Sequence, residues 1–149
     1  MTPSSPDEIR FTVPGEPKGK GRPRATSING MTRMYTPKTT KDGEAEVRSA
    51  ALAAMAGMSP ITGPVSVSIQ IKHAIRKSWT KAKRQAALLN EIVPTIKSDM
   101  DNVLKLYFDA LNGVAWIDDV QVVNVIASKR FSESPRVDVR IIPIATGSA

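Results

Sequence analysis

Residues 97–123 read KSDMDNVLKLYFDALNGVAWIDDVQVV and gather five carboxylates and two lysines, Lys97 and Lys105, into a short window that follows two basic segments. Asp99 and Asp101 stand two positions apart, and Asp118 and Asp119 are adjacent. Carboxylates at the start of one element and a pair at the start of another can converge on a divalent cation. Lys105, one helical turn beyond Asp101, can then offset charge on a phosphate oxygen or a leaving group. A purely structural account also exists. Ser98 followed three residues later by Asp101 has the form of a capping box, Asp99 favours a helix start, and Asp101 and Lys105 form an i,i+4 pair. Two considerations favour the metal. Asp99 and Asp101 cannot both cap one helix, so a cation would relieve their repulsion. A buried strand does not start with two adjacent aspartates unless one of them has a partner, because an unpaired buried charge is costly.

The elements that must position these groups follow from hydrophobic period. Ile9 to Val13 alternates as a strand, ended by Pro14-Gly15. The stretch EPKGKGRPRATSINGMTRMYTPK is too rich in Gly, Pro, Lys and Arg for a regular element and reads as a long loop. In it Gly19 and Gly21 would allow close approach to a ligand, and Lys18, Lys20, Arg22 and Arg24 would meet phosphates. Arg33, Lys38, Arg76 and Lys77 extend the same basic set.

A helix is predicted from Thr39 or Thr40 to about Met58, with Asp42, Glu44 and Glu46 near its start and Val47, Ala51, Met55 and Met58 on one face. VSVSIQIKH is the clearest strand, and His73 falls on its apolar parity, where a structural histidine is commoner than a base. Ser78 would cap a short basic helix, and Trp79 either stacks on a base or anchors that helix to the core. The next helix, about Met100 to Asn112, ends at Gly113 and carries an apolar stripe of Val103, Leu104, Tyr107, Phe108 and Leu111. VQVVNVIASKRF is apolar on much of both faces and is predicted to be a central strand, forming a hairpin with RVDVRIIPI. Strand alternation would send Asp118 and Asp119 to opposite sides, so only one can face the helix start.

Composition narrows the chemistry. With 149 residues the chain suits one domain, residues 9–144, with a disordered tail at 1–8 and a short tail at 145–149. The expected class is α+β, a small mixed β-sheet of about four strands flanked by helices. A hydrophobic content of 41% and a mean hydropathy of −0.18 describe a soluble protein, and nothing approaches the ~18 apolar residues of a membrane span. The N-terminus lacks a secretory layout, so the cytoplasm is the expected compartment. No cysteine and a single histidine exclude thiolate and multi-histidine zinc sites. Any metal must therefore be held by oxygen, which suits Mg²⁺ or Mn²⁺. The net charge of +7 and pI near 9.9 point to a polyanion. Eight Lys or Arg against one acid in residues 9–41, and seven against one in residues 72–97, precede the acidic centre.

KSDMDNVLK followed by DALNGVAWIDDVQVV resembles the signature of the RusA family of Holliday-junction resolvases, with its D-x-D-N-x-x-K segment and later D-D-x-Q-V. VPGEPKGKGRPRAT and MYTPK resemble the family's K-x-R-P-R and Y-T-P segments, so the similarity runs from about residue 9 to 142. The resemblance implies a homodimeric α+β endonuclease that uses Mg²⁺, or Mn²⁺, to nick four-way DNA junctions on opposed strands. By motif, the catalytic and metal-binding aspartates fall on Asp99, Asp101 and Asp119, the second of the pair, and the catalytic lysine on Lys105. Ser98 departs from the proline that the family often has there. Asp109 and Asp118 are left as supporting positions. Two other activities remain open on the residues alone: a flap or single-strand nuclease, and a non-catalytic basic DNA-binding protein.

Overall fold

The computed structural model describes residues 7–21, 24–35, 38–96 and 99–145, and the side chains of residues 24, 26, 28, 33 and 35 lie outside that description. Arg22, Ser98 and both extreme tails, together with the side chains of Arg24 and Arg33, are therefore expectations outside the described residues.

The described strands are β1 (Ile9–Pro14), β2 (Arg24–Ile28), β3 (Met31–Tyr35), β4 (Val65–Ala74), β5 (Val122–Ser132) and β6 (Arg136–Pro143). The helices are α1 (Lys38–Met55), α2 (Lys81–Leu88) and α3 (Met100–Leu111), with a one-turn 3-10 helix at Asp119–Gln121. Four strands form one mixed sheet in the order β1-β6-β4-β5. β6 runs antiparallel to both β1 and β4, in register Ile9↔Ile141 and Val67↔Ile141. β4 and β5 are parallel, in register Val67↔Val125. A parallel pair needs a long crossover, and here it carries α2, α3 and the 3-10 turn. The α+β expectation with a four-stranded mixed sheet holds.

Alternation builds the core on one sheet face. Ile9, Phe11 and Val13 of β1, Val65 to Ile71 at alternate positions of β4, and Val137, Val139 and Ile141 of β6 are buried against α1 and α3. α1 contributes Val47, Ala51 and Met55; α3 contributes Val103, Leu106, Tyr107, Ala110 and Leu111. Each such aliphatic side chain contributes on the order of 1.5–3 kcal/mol by leaving water. Gly43 lets the helices close together, since a Cβ there would lie 3.2 Å from Leu106 Cδ1. The other sheet face is polar. There Asp138 accepts hydrogen bonds from Thr12 Oγ1 at 2.8 Å and Arg136 Nε at 3.2 Å, with Lys72 Nζ at 3.4 Å.

Three expectations about elements need correction. The basic stretch after β1 is not a single loop, because β2 and β3 pair as a two-stranded ribbon. Its turn is Asn29-Gly30, both at positive φ (52° and 77°), the backbone that a two-residue hairpin connection demands. β5 is not central and does not pair with β6: it is the edge strand beyond β4, and β6 lies on the far side of β4. The aliphatic residues that suggested burial on both faces include Val123 and Ile126, 63% and 64% exposed. Finally, α1 begins at Lys38, so Asp42, Glu44 and Glu46 lie beyond its first turn. It ends where Ala56 and Gly57 turn to positive φ.

Candidate functional site

α3 starts at Met100 with Asp99 in the N-cap position, in an extended backbone conformation with φ −64° and ψ 139°. Its main-chain carbonyl accepts from Val103 N at 3.1 Å, yet its side chain makes no capping hydrogen bond. The cap position expected for Ser98 thus belongs to Asp99. An aspartate in this position ordinarily spends its carboxylate on the second or third amide of the helix. Here neither Asp99 nor Asp101, both exposed, is spent in that way. Among the described residues Asp99, Asp101 and Asp119 have no side-chain hydrogen bond or ion pair. Lys105, also exposed, follows on the same helix one turn beyond Asp101.

Asp118 and Asp119 precede β5 in the 3-10 turn instead of opening a strand, so strand alternation does not separate them. Burial does: Asp119 is half-buried and Asp118 exposed. The turn carrying Asp119 contacts α3. The strand is delayed because the backbone N–H groups of Ile117 and Asp118 donate to Gln121 Oε1, at 2.8 and 3.0 Å. Gln121 Nε2 in turn donates to the carbonyls of Ile61 and Gly63. Upstream, Trp116 is fully buried, donates from Nε1 to Asn112 Oδ1 at 2.7 Å and packs edge-on against Phe108 at 5.8 Å between ring centroids. The DALNGVAWIDD run is therefore a corner pinned by Trp116 and Gln121 that leaves the Asp119 turn in contact with α3.

The donor set is chemically suited to a hard divalent ion, being carboxylate oxygens without competing partners, cysteine or histidine. Among the described residues, however, no three His, Asp or Glu side chains are already grouped closely enough to hold one ion. Asp99 and Asp101 lie at the start of α3, and Asp119 sits in the 3-10 turn that contacts that helix.

The basic segment runs along the same helix. Lys20 N donates to Asn102 O at 3.0 Å, Gly21 N donates to the buried Thr40 Oγ1 at 2.8 Å, and Lys20 Nζ is ion-paired with Asp109. That hydrogen bond raises the Lys20 pKa above its ordinary value against the opposing effect of partial burial. Gly19 allows close approach, but to the protein: a Cβ there would lie 3.2 Å from Asn102 Cβ. Lys18 is paired with Glu46 at 3.1 Å. Lys38, Arg76 and Lys77 are exposed, Lys38 opening α1 and the other two in the turn after β4. Trp79 anchors α2 rather than standing free. It packs edge-on against Phe131 at 5.1 Å, with Lys83 Nζ 4.3 Å from its ring centroid. α2 is capped by Thr80, whose side chain accepts from Lys83 N at 3.2 Å, and not by Ser78. Buried His73 is structural, its Nδ1 lying 2.7 Å from Glu16 Oε1.

Sequence reading missed Gln121 and the Lys20–Asp109 pair. The first was legible as a Gln in the third position after Asp118, a capping-box spacing. The second joins residues 89 positions apart and leaves no local mark.

Residues 14–142 match the family model described as Endodeoxyribonuclease RusA. The chain is also 40% identical over 137 residues to a Bacillus subtilis (strain 168) protein described as "Uncharacterized protein YqaN", covering 91% of this chain and 96% of that one.

Proposed function

The chain belongs to the RusA endodeoxyribonuclease family, and from that premise we propose that it is a metal-dependent nuclease resolving four-way DNA junctions by paired symmetric nicks, in recombination and repair. The observation that carries this reading is the pair of unspent carboxylates, Asp99 and Asp101, on the first turn of α3, with the Asp119 turn against the same helix. Asp99, Asp101 and Asp119 would hold Mg²⁺ or Mn²⁺. Such an ion supplies Lewis acidity and activates water for in-line attack on a phosphodiester, which hydrolysis divides into a phosphate and a hydroxyl end. Lys105 would offset the charge developing on the phosphate.

Exposed Lys38, Arg76 and Lys77, with the basic ribbon β2–β3, would hold the backbones of the junction arms. Such contacts position the DNA and do not read its sequence. A C₂ homodimer would present two such sites to a junction of near two-fold symmetry. The reading of a dimer is supported by β5, a long edge strand with Val123, Val125 and Ile126 exposed, because natural edges of that kind are usually covered. No helix among the described residues is long and apolar enough to cross a membrane.

The test is a labelled four-way junction incubated with wild type and Asp101→Asn, in Mg²⁺ and in EDTA. Wild type should cut only with the metal. The variant should bind the junction equally well and cut about a hundredfold more slowly or less, the size of effect that follows loss of one electrostatic catalytic group. Cutting by Asp101→Asn at the wild-type rate would refute the assignment.

A further inference from the structure

Asp119 is carried by a turn that the hydrophobic core does not hold. Ile117 and Val120, on either side of the Asp pair, are 59% and 77% exposed. The nearest core anchors are Trp116 before the turn and the partly buried Val122 after it. Between them the turn is closed by its own backbone hydrogen bonds, Gln121 N to Asp118 O at 3.0 Å and Val122 N to Asp119 O. One polar side chain ties it to the Ile61–Gly63 segment. Gln121 accepts from Ile117 N and Asp118 N at 2.8 and 3.0 Å, and donates to Ile61 O and Gly63 O at 2.7 and 2.8 Å. Two lone pairs and two N–H groups are the amide's full capacity.

The far end of the tie is itself immobilised: Ile61 is buried, its N–H donates to Ala115 O at 2.9 Å, and it bridges to Trp116. A capping box alone is served equally by Glu or Gln. Only an amide can cap the turn on one side and bind two carbonyls on the other, so the residue type is explained by the long-range tie and not by the cap.

We infer that Gln121 is the positioning residue of the candidate site, tying the Asp119 turn to the Ile61–Gly63 segment so that the Asp119 carboxylate is presented toward the first turn of α3. The inference rests on the reading of Asp99, Asp101 and Asp119 as metal ligands. Gln121 touches neither substrate nor metal. Its effect is on how well the ligand set is preorganised. It acts on the backbone of the turn and not on the Asp119 carboxylate, so the expected loss lies near the lower end of the about 10–100-fold seen when direct outer partners of metal ligands are removed.

Gln121→Glu separates this role from local capping, because it keeps the acceptor side and sets a carboxylate against two carbonyls. By charge alone an added carboxylate beside Asp118 and Asp119 would tighten cation binding, so the two effects have opposite signs. Gln121→Met removes the tie without adding charge.

The experiment measures Mn²⁺ binding to the full chain by electron paramagnetic resonance, for wild type, both variants and Asp119→Asn. Hydrogen exchange of the Ile117 and Asp118 amides is followed in parallel, with circular dichroism to certify folding. Mn²⁺ binding about tenfold weaker or more in both Gln121 variants is expected, with protected amides in wild type and faster exchange in Gln121→Met. Unchanged or tighter Mn²⁺ binding in a folded Gln121 variant overturns the inference while leaving the ligand assignment intact. Unprotected Ile117 and Asp118 amides in wild type overturn it even if neither variant folds. Wild-type Mn²⁺ binding no stronger than that of Asp119→Asn overturns the ligand assignment and this inference with it.

Discussion

Asp109 takes Lys20 out of the set of free cations, so one side chain expected to meet phosphate holds the basic segment on α3 instead. Both groups are about one-third exposed, and solvent screening limits such a pair to about 1 kcal/mol or less. Asp109→Asn should therefore lower stability by about 0.5–1 kcal/mol at neutral pH, read as a shift in urea midpoint. The sign against pH is fixed by direction. Lys20 has a raised pKa, so its contribution is complete below its ordinary 10.5 and is lost as pH climbs through the folded-state value. Tyr107 acts the same way. Burial, reinforced by Glu46, raises its pKa above the ordinary 10.0, and ionising it must cost folding free energy. The urea midpoint should fall above about pH 10, and Tyr107→Phe should soften that fall; a midpoint that stays flat through this range would contradict both assignments. The acidic window was legible in sequence because repulsion at i,i+2 and an Asp pair beside an apolar run are local facts. The choice of Asp119 over Asp118, by contrast, came from the family resemblance, and the roles of Asp99, Asp101 and Asp119 stand as a proposal. Which lysines are engaged was not legible, because the partners of Lys18 and Lys20 come from other elements.

At the scale of elements, what was legible was whatever a single period decides. β4, α3 and the core face of α1 follow from alternation or from a helical stripe. The ribbon β2–β3 was hidden by its Gly, Pro and basic content, although Asn29-Gly30 is the strongest short signal for a hairpin. β5 misled for a different reason. Aliphatic side chains on both faces indicate that something covers a strand, but not whether the cover comes from the same chain. The parallel β4–β5 pairing also depends on a crossover that strand composition does not encode. The docking of the basic segment offers a test at this scale. Gly19→Ala places a methyl group 3.2 Å from Asn102 Cβ, an atom fixed to the helix backbone that cannot rotate away. A loss of about 1–3 kcal/mol is expected, as for overpacking elsewhere, with weaker junction binding as the segment shifts. A variant as stable as wild type would mean that the segment does not rest on α3.

Over the whole molecule, helices pack on one face of the sheet, and the positive charge is concentrated in two segments that precede the acidic helix start in the chain. Composition pointed to a polyanionic partner and required that any metal be held by oxygen, and the family match carries the endodeoxyribonuclease assignment. If the β5 edge is the dimer surface, Ile126→Lys should turn a dimer into a monomer in light scattering and leave folding intact; a dimer that survives the change places the interface elsewhere. The claim on which the rest depends is junction resolution itself. Its most direct measurement is the mapping of cuts made by wild-type protein, in Mg²⁺ and in EDTA, on a four-way junction, a linear duplex and a flap of shared sequence. The account predicts Mg²⁺-dependent nicks at symmetric positions on opposed strands of the junction, with the duplex and the flap left intact. Equal cutting of all three substrates, or binding of the junction with no cut in Mg²⁺ or Mn²⁺, would contradict it.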